Sequence, residues 1–431
     1  MNTKQLLVHG GWAVAAAAAF AVGSSRSNEG GPGSGNADGS GPSARTTSRS
    51  SGFGSEPGSR LRARQDEQGS ADRGELASLF GSTRGLSIAM LAEKALKDPN
   101  PITRRLAFGH LLESMTAENA LEIREQLVAM GVDGSEWRDF NYSWGAIAGQ
   151  EAFDHAAASE EEDLAATMSG WAAANPNEAI AMLRNLPEAM AGQKAELAES
   201  VIAGLADHDL TLATDMAMQL AAEGTGQPDR LIRAVANEAL RTGSPADAAA
   251  WATTLADGPM KGAAMDRVAG AYVRTNPEEA ANWVTQFANE EYAQRAVAEV
   301  GEEWGERDPV NALGWLETLP ATDGQADGFR SVFGDWEDTN PVAASEYLAQ
   351  MPASPQRDAA VSGFVRGYAW QDPTAAIAWA EDISDPAMRQ QSLTQAGQAY
   401  YRRDPEAARA WLETSGLPAE AQQAVMNRRR R

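Results

Sequence analysis

From Pro245 onward, apolar residues recur at fixed distances from a series of prolines. After Pro309 they are Ala312, Trp315, Leu316 and Leu319, at +3, +6, +7 and +10. That spacing is one face of a helix with 3.6 residues per turn. Pro320 ends the stretch, as Pro352 and Pro187 end theirs, because proline lacks an N–H and its ring clashes with the preceding turn. A second stripe follows a short loop: Phe329, Val332, Phe333 and Trp336 predict a second helix over roughly 326–336. The unit is therefore two short helices, neither able to bury its stripe alone, so neighbouring units must stack.

The pattern repeats every 32 residues, at Pro245, Pro277, Pro309, Pro341, Pro373 and Pro405. The residues just before them are Ser244, Asn276, Asp308, Asn340, Asp372 and Asp404. Such side chains accept from the free N–H groups of a first helical turn, and proline suits the first helical position, so each dipeptide reads as a helix start. Alanine stands at +3, from Ala248 to Ala408. An aromatic stands at +6: Trp251, Trp283, Trp315, Tyr347, Trp379 and Trp411. Five residues before each proline another large residue recurs, Leu240, Tyr272, Trp304, Trp336, Tyr368 and Tyr400.

Earlier copies are looser. Asn175-Pro176 starts one, with Ala179, Met182 and a preceding Trp171. Asp209-Leu210 starts another without the proline, and Gly149 with Ala152 and His155 resembles a degenerate first copy after Trp144. Pro101–Met115 and Ala117–Met130 read as two longer helices of different geometry, just after Asp98-Pro99. The expected fold is all-α: a right-handed α-α superhelix of about nine two-helix repeats with an N-terminal helical cap. The expected domains are residues 1–23, a targeting segment; 24–75, a linker; 76–140, the helical cap; and 141–431, the repeats.

The repeated tryptophans admit two readings, an aromatic platform for sugars or peptides and core packing between helices. They alternate with Tyr, Leu and Met in the same columns, as positions do where the demand is bulk. Core packing is therefore expected for Trp251, Trp283, Trp315, Tyr347, Trp379, Trp411, Trp304 and Trp336.

The unit resembles the tetratricopeptide class of α-solenoids in its early aromatic, its proline near the unit's end, and the step of six between them. It departs in its period, 32 against about 34, in the early proline stop of the first helix, and in lacking a Leu-Gly pair after the aromatic. The chain is also similar to a group of bacterial envelope proteins built on a D/N-P-x-x-A-x-x-W repeat. These resemblances imply partner binding by analogy of fold.

Residues 1–23 begin with Lys4, continue through an apolar stretch from Leu6 to Gly23, and include Ala19-Phe20-Ala21, a small-x-small cleavage pattern. The stretch serves equally as a cleaved signal peptide or a membrane anchor; either puts the rest outside the cytoplasm, in the cell envelope or secreted. The Gly/Ser/Pro/Arg-rich segment after it has little to bury and is expected to stay disordered. The chain has no cysteine, which excludes disulfides, cysteine-ligated zinc and a cysteine nucleophile.

The net charge is −24, and residues 1–75 carry 8 Lys/Arg against 7 Asp/Glu, so the remainder carries −25. Such a surface repels nucleic acid, whose binding needs a basic face. The closing Arg428, Arg429, Arg430 and Arg431 complement a final helix dipole or offer a contact to anionic lipid.

Candidate chemistry is sparse. Among four histidines only His208, in Asp207-His208-Asp209, sits in a cluster of metal-ligand types, and Asp209 already occupies a helix-start position. No nucleophile-elbow, phosphate-loop, zincin or EF-hand motif occurs. Glu302-Glu303 and the carboxylates around Trp336 (Asp335, Glu337, Asp338) read as the polar side of second helices, since adjacent residues do not face one another as a glycosidase pair must. No catalytic residue, metal or cofactor is expected. The expected function is a non-enzymatic scaffold of the cell envelope that binds a protein or peptide, with membrane contact through residues 1–23 and Arg428–Arg431 alone. The groove residues at +8 would be Thr253, Thr285, Glu317, Glu381 and Glu413. The rival is an α/α-toroid protein that binds or degrades polysaccharide; a passive structural protein is the third reading.

Overall fold

The computed structural model describes residues 85–159 and 161–427. The expectations for residues 1–23 and 24–75, for the cap before residue 85, and for Arg428–Arg431 lie outside the described residues. The described chain holds 22 α-helices and no strand. It divides into two compact units, ending at Phe140 and beginning at Asn141.

The first unit contains α1 (Ile88–Lys97), α2 (Pro101–Glu113), α3 (Ala120–Ala129) and the start of α4 (Gly134–Ala148). The side chains of Ser87 and Asn100 accept from the amides of Met90 and Ile102, which fixes the starts of α1 and α2. Helix α1 packs on both α2 and α3, and Leu91, Phe108, Leu111, Ile123 and Leu127 are buried.

The second unit continues with α5 (Gln150–Ala157), α6 (Glu161–Ala174), α7 (Pro176–Arg184), α8 (Lys194–Ala206), α9 (Leu210–Ala222) and α10 (Pro228–Thr242). Then come α11 (Pro245–Thr254), α12 (Pro259–Thr275), α13 (Pro277–Thr285), α14 (Gln294–Gly305), α15 (Pro309–Thr318) and α16 (Asp323–Thr339). The last are α17 (Pro341–Gln350), α18 (Pro355–Tyr368), α19 (Pro373–Glu381), α20 (Pro386–Arg403), α21 (Pro405–Thr414) and α22 (Ala419–Met426). From α5 onward they form nine consecutive pairs, an all-α helical repeat with neighbour-to-neighbour packing.

The caps act as their chemistry dictates at six of the seven starts. Ser244 Oγ accepts from Asp247 N at 3.1 Å, and the Asp247 carboxylate accepts from Ser244 N in return, closing a capping box. Asn276, Asp308 and Asn340 accept from the third residue beyond at 3.1–3.2 Å. Asp372 and Asp404 each accept from two amides of the first turn. Asn175 differs: it stands at the start of α7, but its side chain makes no capping bond.

Packing within the second unit is uneven between its two helix sets. Each second helix lies on the next, in the series α6, α8, α10, α12, α14, α16, α18, α20, α22. Their backbones meet through glycine. A Cβ on Gly204 would sit 2.0 Å from the Ser169 carbonyl oxygen, and one on Gly363 would sit 2.0 Å from that of Arg330. Only glycine allows that approach.

The aromatic columns join the two sets. Tyr272 and Trp283, Trp304 and Trp315, Trp336 and Tyr347, and Tyr400 and Trp411 pair across their Asn/Asp-Pro junctions, with ring centroids 5.8–6.4 Å apart. Trp379 meets Phe364 edge-on at 5.8 Å. Trp283 and Trp336 are buried, while Trp251, Trp304, Trp315, Tyr347, Trp379 and Trp411 are half-buried against the same core.

Candidate binding face on the second helices

Three of the five +8 positions, Thr253, Thr285 and Glu317, hold hydrogen bonds between first helices. Trp283 Nε1 donates to Thr253 Oγ1 at 3.0 Å, and Trp315 Nε1 donates to Thr285 Oγ1 at 2.9 Å. Each threonine hydroxyl in turn donates to a carbonyl of its own helix, that of Ala249 or Ala281. A hydroxyl has one proton, so neither threonine has one left for a ligand. Tyr347 likewise donates to Glu317 Oε1 at 3.1 Å, and Trp251 donates to Thr214 Oγ1 at 3.0 Å. Glu381 and Glu413 are exposed. Thr253, Thr285 and Glu317 thus tie one first helix to the next. The helix wheel of a single unit could not reveal this, because each partner lies 30 residues on.

Three residues before each repeat proline lies a different column: Thr242, Arg274, Glu306, Asp338, Trp370 and Arg402. All six are exposed. They stand at or just past the C-terminal ends of the second helices, and their chemistry changes from copy to copy. One helical turn back, on the same face, lie Glu302, Glu303, Asp335 and Arg366.

The middle of this face is acidic beyond its local compensation. Partial burial raises the Glu299 carboxyl, and Asp266, Glu303 and Glu302 raise it further. Partial burial also raises Asp335, with Glu302 and Glu306 adding repulsion across the α14–α16 contact. Arginines answer at the flanks. Arg274 grips Glu303 with two nitrogens, and Arg233 reaches Asp266 at 2.6 Å.

Glu337 departs from the polar-side reading of its neighbours, for it is wholly buried. It points inward against α18, where Gly367 leaves room: a Cβ there would lie 1.5 Å from Glu337 Oε1. Its Oε2 accepts from Gln371 Nε2 at 3.2 Å, and its Oε1 has no hydrogen-bond partner. Burial pushes this carboxyl up to about 7; Asp338 and Asp335 push the same way and Arg366 opposes.

Toward the C-terminal copies the face turns basic and aromatic. Trp370, 58% exposed, carries the Arg402 guanidinium over its ring at 5.1 Å. Arg403 Nη1 donates to the Gln371 carbonyl at 2.7 Å. With Ala369 and Ala399 these residues line an open depression of about 460 Å³.

The remaining candidates have structural partners. Asp207 accepts from the Tyr142 hydroxyl at 2.6 Å and pairs with Arg241, and Asp209 accepts from Leu212 N. Among the described residues no group of three or more His, Asp or Glu is placed to hold a metal ion, and no helix is long and apolar enough to cross a membrane. The chain matches no protein-family model, no curated protein and no solved structure.

Proposed function

We propose that this chain is a non-enzymatic scaffold that binds an extended protein or peptide segment along the exposed ends of its second helices. One observation carries the reading. The column Thr242, Arg274, Glu306, Asp338, Trp370, Arg402 keeps strict register and exposure while its side chains change. Packing positions of a repeat hold bulk constant; a recognition surface varies from unit to unit, as the concave faces of repeat proteins do. The carboxylates Glu299, Glu302, Glu306, Asp335 and Asp338 favour a segment with basic residues at its middle, through complementary potential.

The resemblance to tetratricopeptide solenoids and the envelope location belong to the same reading. Residues 1–23 would deliver the chain across a membrane, and the segment after it would act as a tether. The polysaccharide alternative draws nothing from the repeated tryptophans, whose rings pack against the core.

The test is calorimetric titration with an arginine-rich peptide at low and physiological salt. The double variant Glu306→Lys/Asp338→Lys is compared with Glu278→Lys/Glu406→Lys, which changes net charge equally on first helices. A loss of about tenfold or more in the former and little in the latter supports the reading. Equal losses reduce the binding to general charge attraction and overturn it.

A further inference from the structure

We propose that the depression between Trp370 and Arg402 is an anchoring pocket for an acidic side chain flanked by an apolar residue on a bound peptide. The inference rests on the reading of the second-helix ends as the contact face, and it names the chemistry of one point on that face.

Three observations converge on it. First, Trp370 is the one large apolar residue in its column, and it stands mostly in solvent. The tryptophans of the two repeat columns are buried or half-buried against the core, so packing does not account for this one. Second, Arg402 forms no ion pair among the described residues. Its guanidinium lies over the Trp370 ring, and stacking of this kind leaves its in-plane N–H groups free to point outward. Those groups form a fork that matches a carboxylate. Arg403 stands beside it with one nitrogen held by the Gln371 carbonyl and adds a second positive charge at the same edge. Third, the two residues face each other across consecutive copies. The depression they line, about 460 Å³, is open to solvent.

The chemistry follows from these groups. Tryptophan and arginine are the residues most enriched at binding hot spots. Here the indole offers a flat apolar wall and Arg402 a carboxylate clamp, side by side. An acidic side chain fits the clamp, and its apolar neighbour covers the exposed indole. The chain's overall negative charge does not forbid this, because at physiological ionic strength repulsion from the acidic copies is screened beyond about 8 Å.

The probe is the pentapeptide Gly-Glu-Phe-Glu-Gly, acetylated and amidated so that its only carboxylates are side chains. Its counterpart carries Gln for both Glu. Binding to the full chain is followed by the Trp370 indole N–H shift in NMR spectra, assigned with Trp370→Phe, and by calorimetry. The expected result is saturable binding of the acidic peptide, at least tenfold weaker for the Gln peptide. Arg402→Gln and Trp370→Ala should each lose at least fivefold, with unchanged circular dichroism. Equal binding of the two peptides, indifference to Arg402→Gln, or no shift at 5-fold molar excess over millimolar protein overturns the proposal. If the pentapeptide fails while the arginine-rich probe still reads Glu306 and Asp338, the pocket falls and the scaffold reading stands. If both fail, both fall.

Discussion

The indole N–H of Trp315 donates to the hydroxyl of Thr285, 30 residues earlier, at 2.9 Å. That hydroxyl donates in turn to the Ala281 carbonyl at 2.7 Å. The pair therefore links α13 to α15, two first helices, while the closest packing runs through the second helices. Thr285→Val keeps the shape and removes the acceptor, leaving the half-buried indole nitrogen to water or to nothing. The expected cost is about 0.5–1.5 kcal/mol in urea unfolding. A double-mutant cycle with Trp315→Phe should return a coupling energy of at least about 0.5 kcal/mol. Additive losses would show that the bond contributes nothing between units.

The caps separate by the bonds they make. Ser244→Ala removes the hydroxyl that accepts from Asp247 N, leaves the backbone half of the capping box in place, and should cost about 1 kcal/mol. Asn175→Ala, at a start where the side chain makes no capping bond, should cost less than about 0.5 kcal/mol. Chemical denaturation of both variants under one condition checks the ranking, and equal costs would refute it.

What the sequence reveals follows from what is local. A helix start is written in two adjacent residues, so Ser244-Pro245 or Asp404-Pro405 can be read without knowing any neighbour. The period of 32 then places each copy from Pro245 onward. The binding face is not local. Thr253 and Thr285 look free on a helix wheel because their partners, Trp283 and Trp315, sit on the next copy's first helix. Glu337 looks like part of an acidic polar side, yet it is buried because Gly367 on α18 has no side chain to exclude it. Trp370 carried a signal that sequence alone could have used: it is a tryptophan in neither repeat column.

Glycine at close-packed and open helix positions is the next test. A Cβ on Gly363 would meet the Arg330 carbonyl at 2.0 Å, while one on Gly314 meets nothing within 4 Å. Both lie inside helices, where alanine is favoured over glycine by about 1 kcal/mol. Gly314→Ala should therefore stabilise by about 0.5–1 kcal/mol. Gly363→Ala should destabilise by about 2 kcal/mol or more, because α16 and α18 must separate. Thermal melts that shift in the same direction for both variants would contradict the close-approach argument.

Glu337 sets the expected pH dependence. Its carboxyl titrates at about 7 in the fold against the usual 4.5, so the folded state holds a proton that the unfolded chain has released. An acid raised in this way makes its full contribution to stability below about 4.5. The contribution falls as pH rises between the two values, and above about 7 the fold bears the whole cost of a buried, under-partnered carboxylate. A shift of this size corresponds to about 1–3 kcal/mol between pH 4.5 and 8. Glu337→Gln keeps the size and supplies a neutral amide, so it should gain stability over the wild type at pH 8 and match it near pH 4.5. The carboxyls of Glu299 and Asp335 are also raised and titrate in both proteins, so the difference between the two stability curves isolates Glu337. Urea midpoints across pH 4.5–8.5 measure it. A difference that stays constant with pH would mean that Glu337 is ionised throughout, and that Arg366 compensates for its burial.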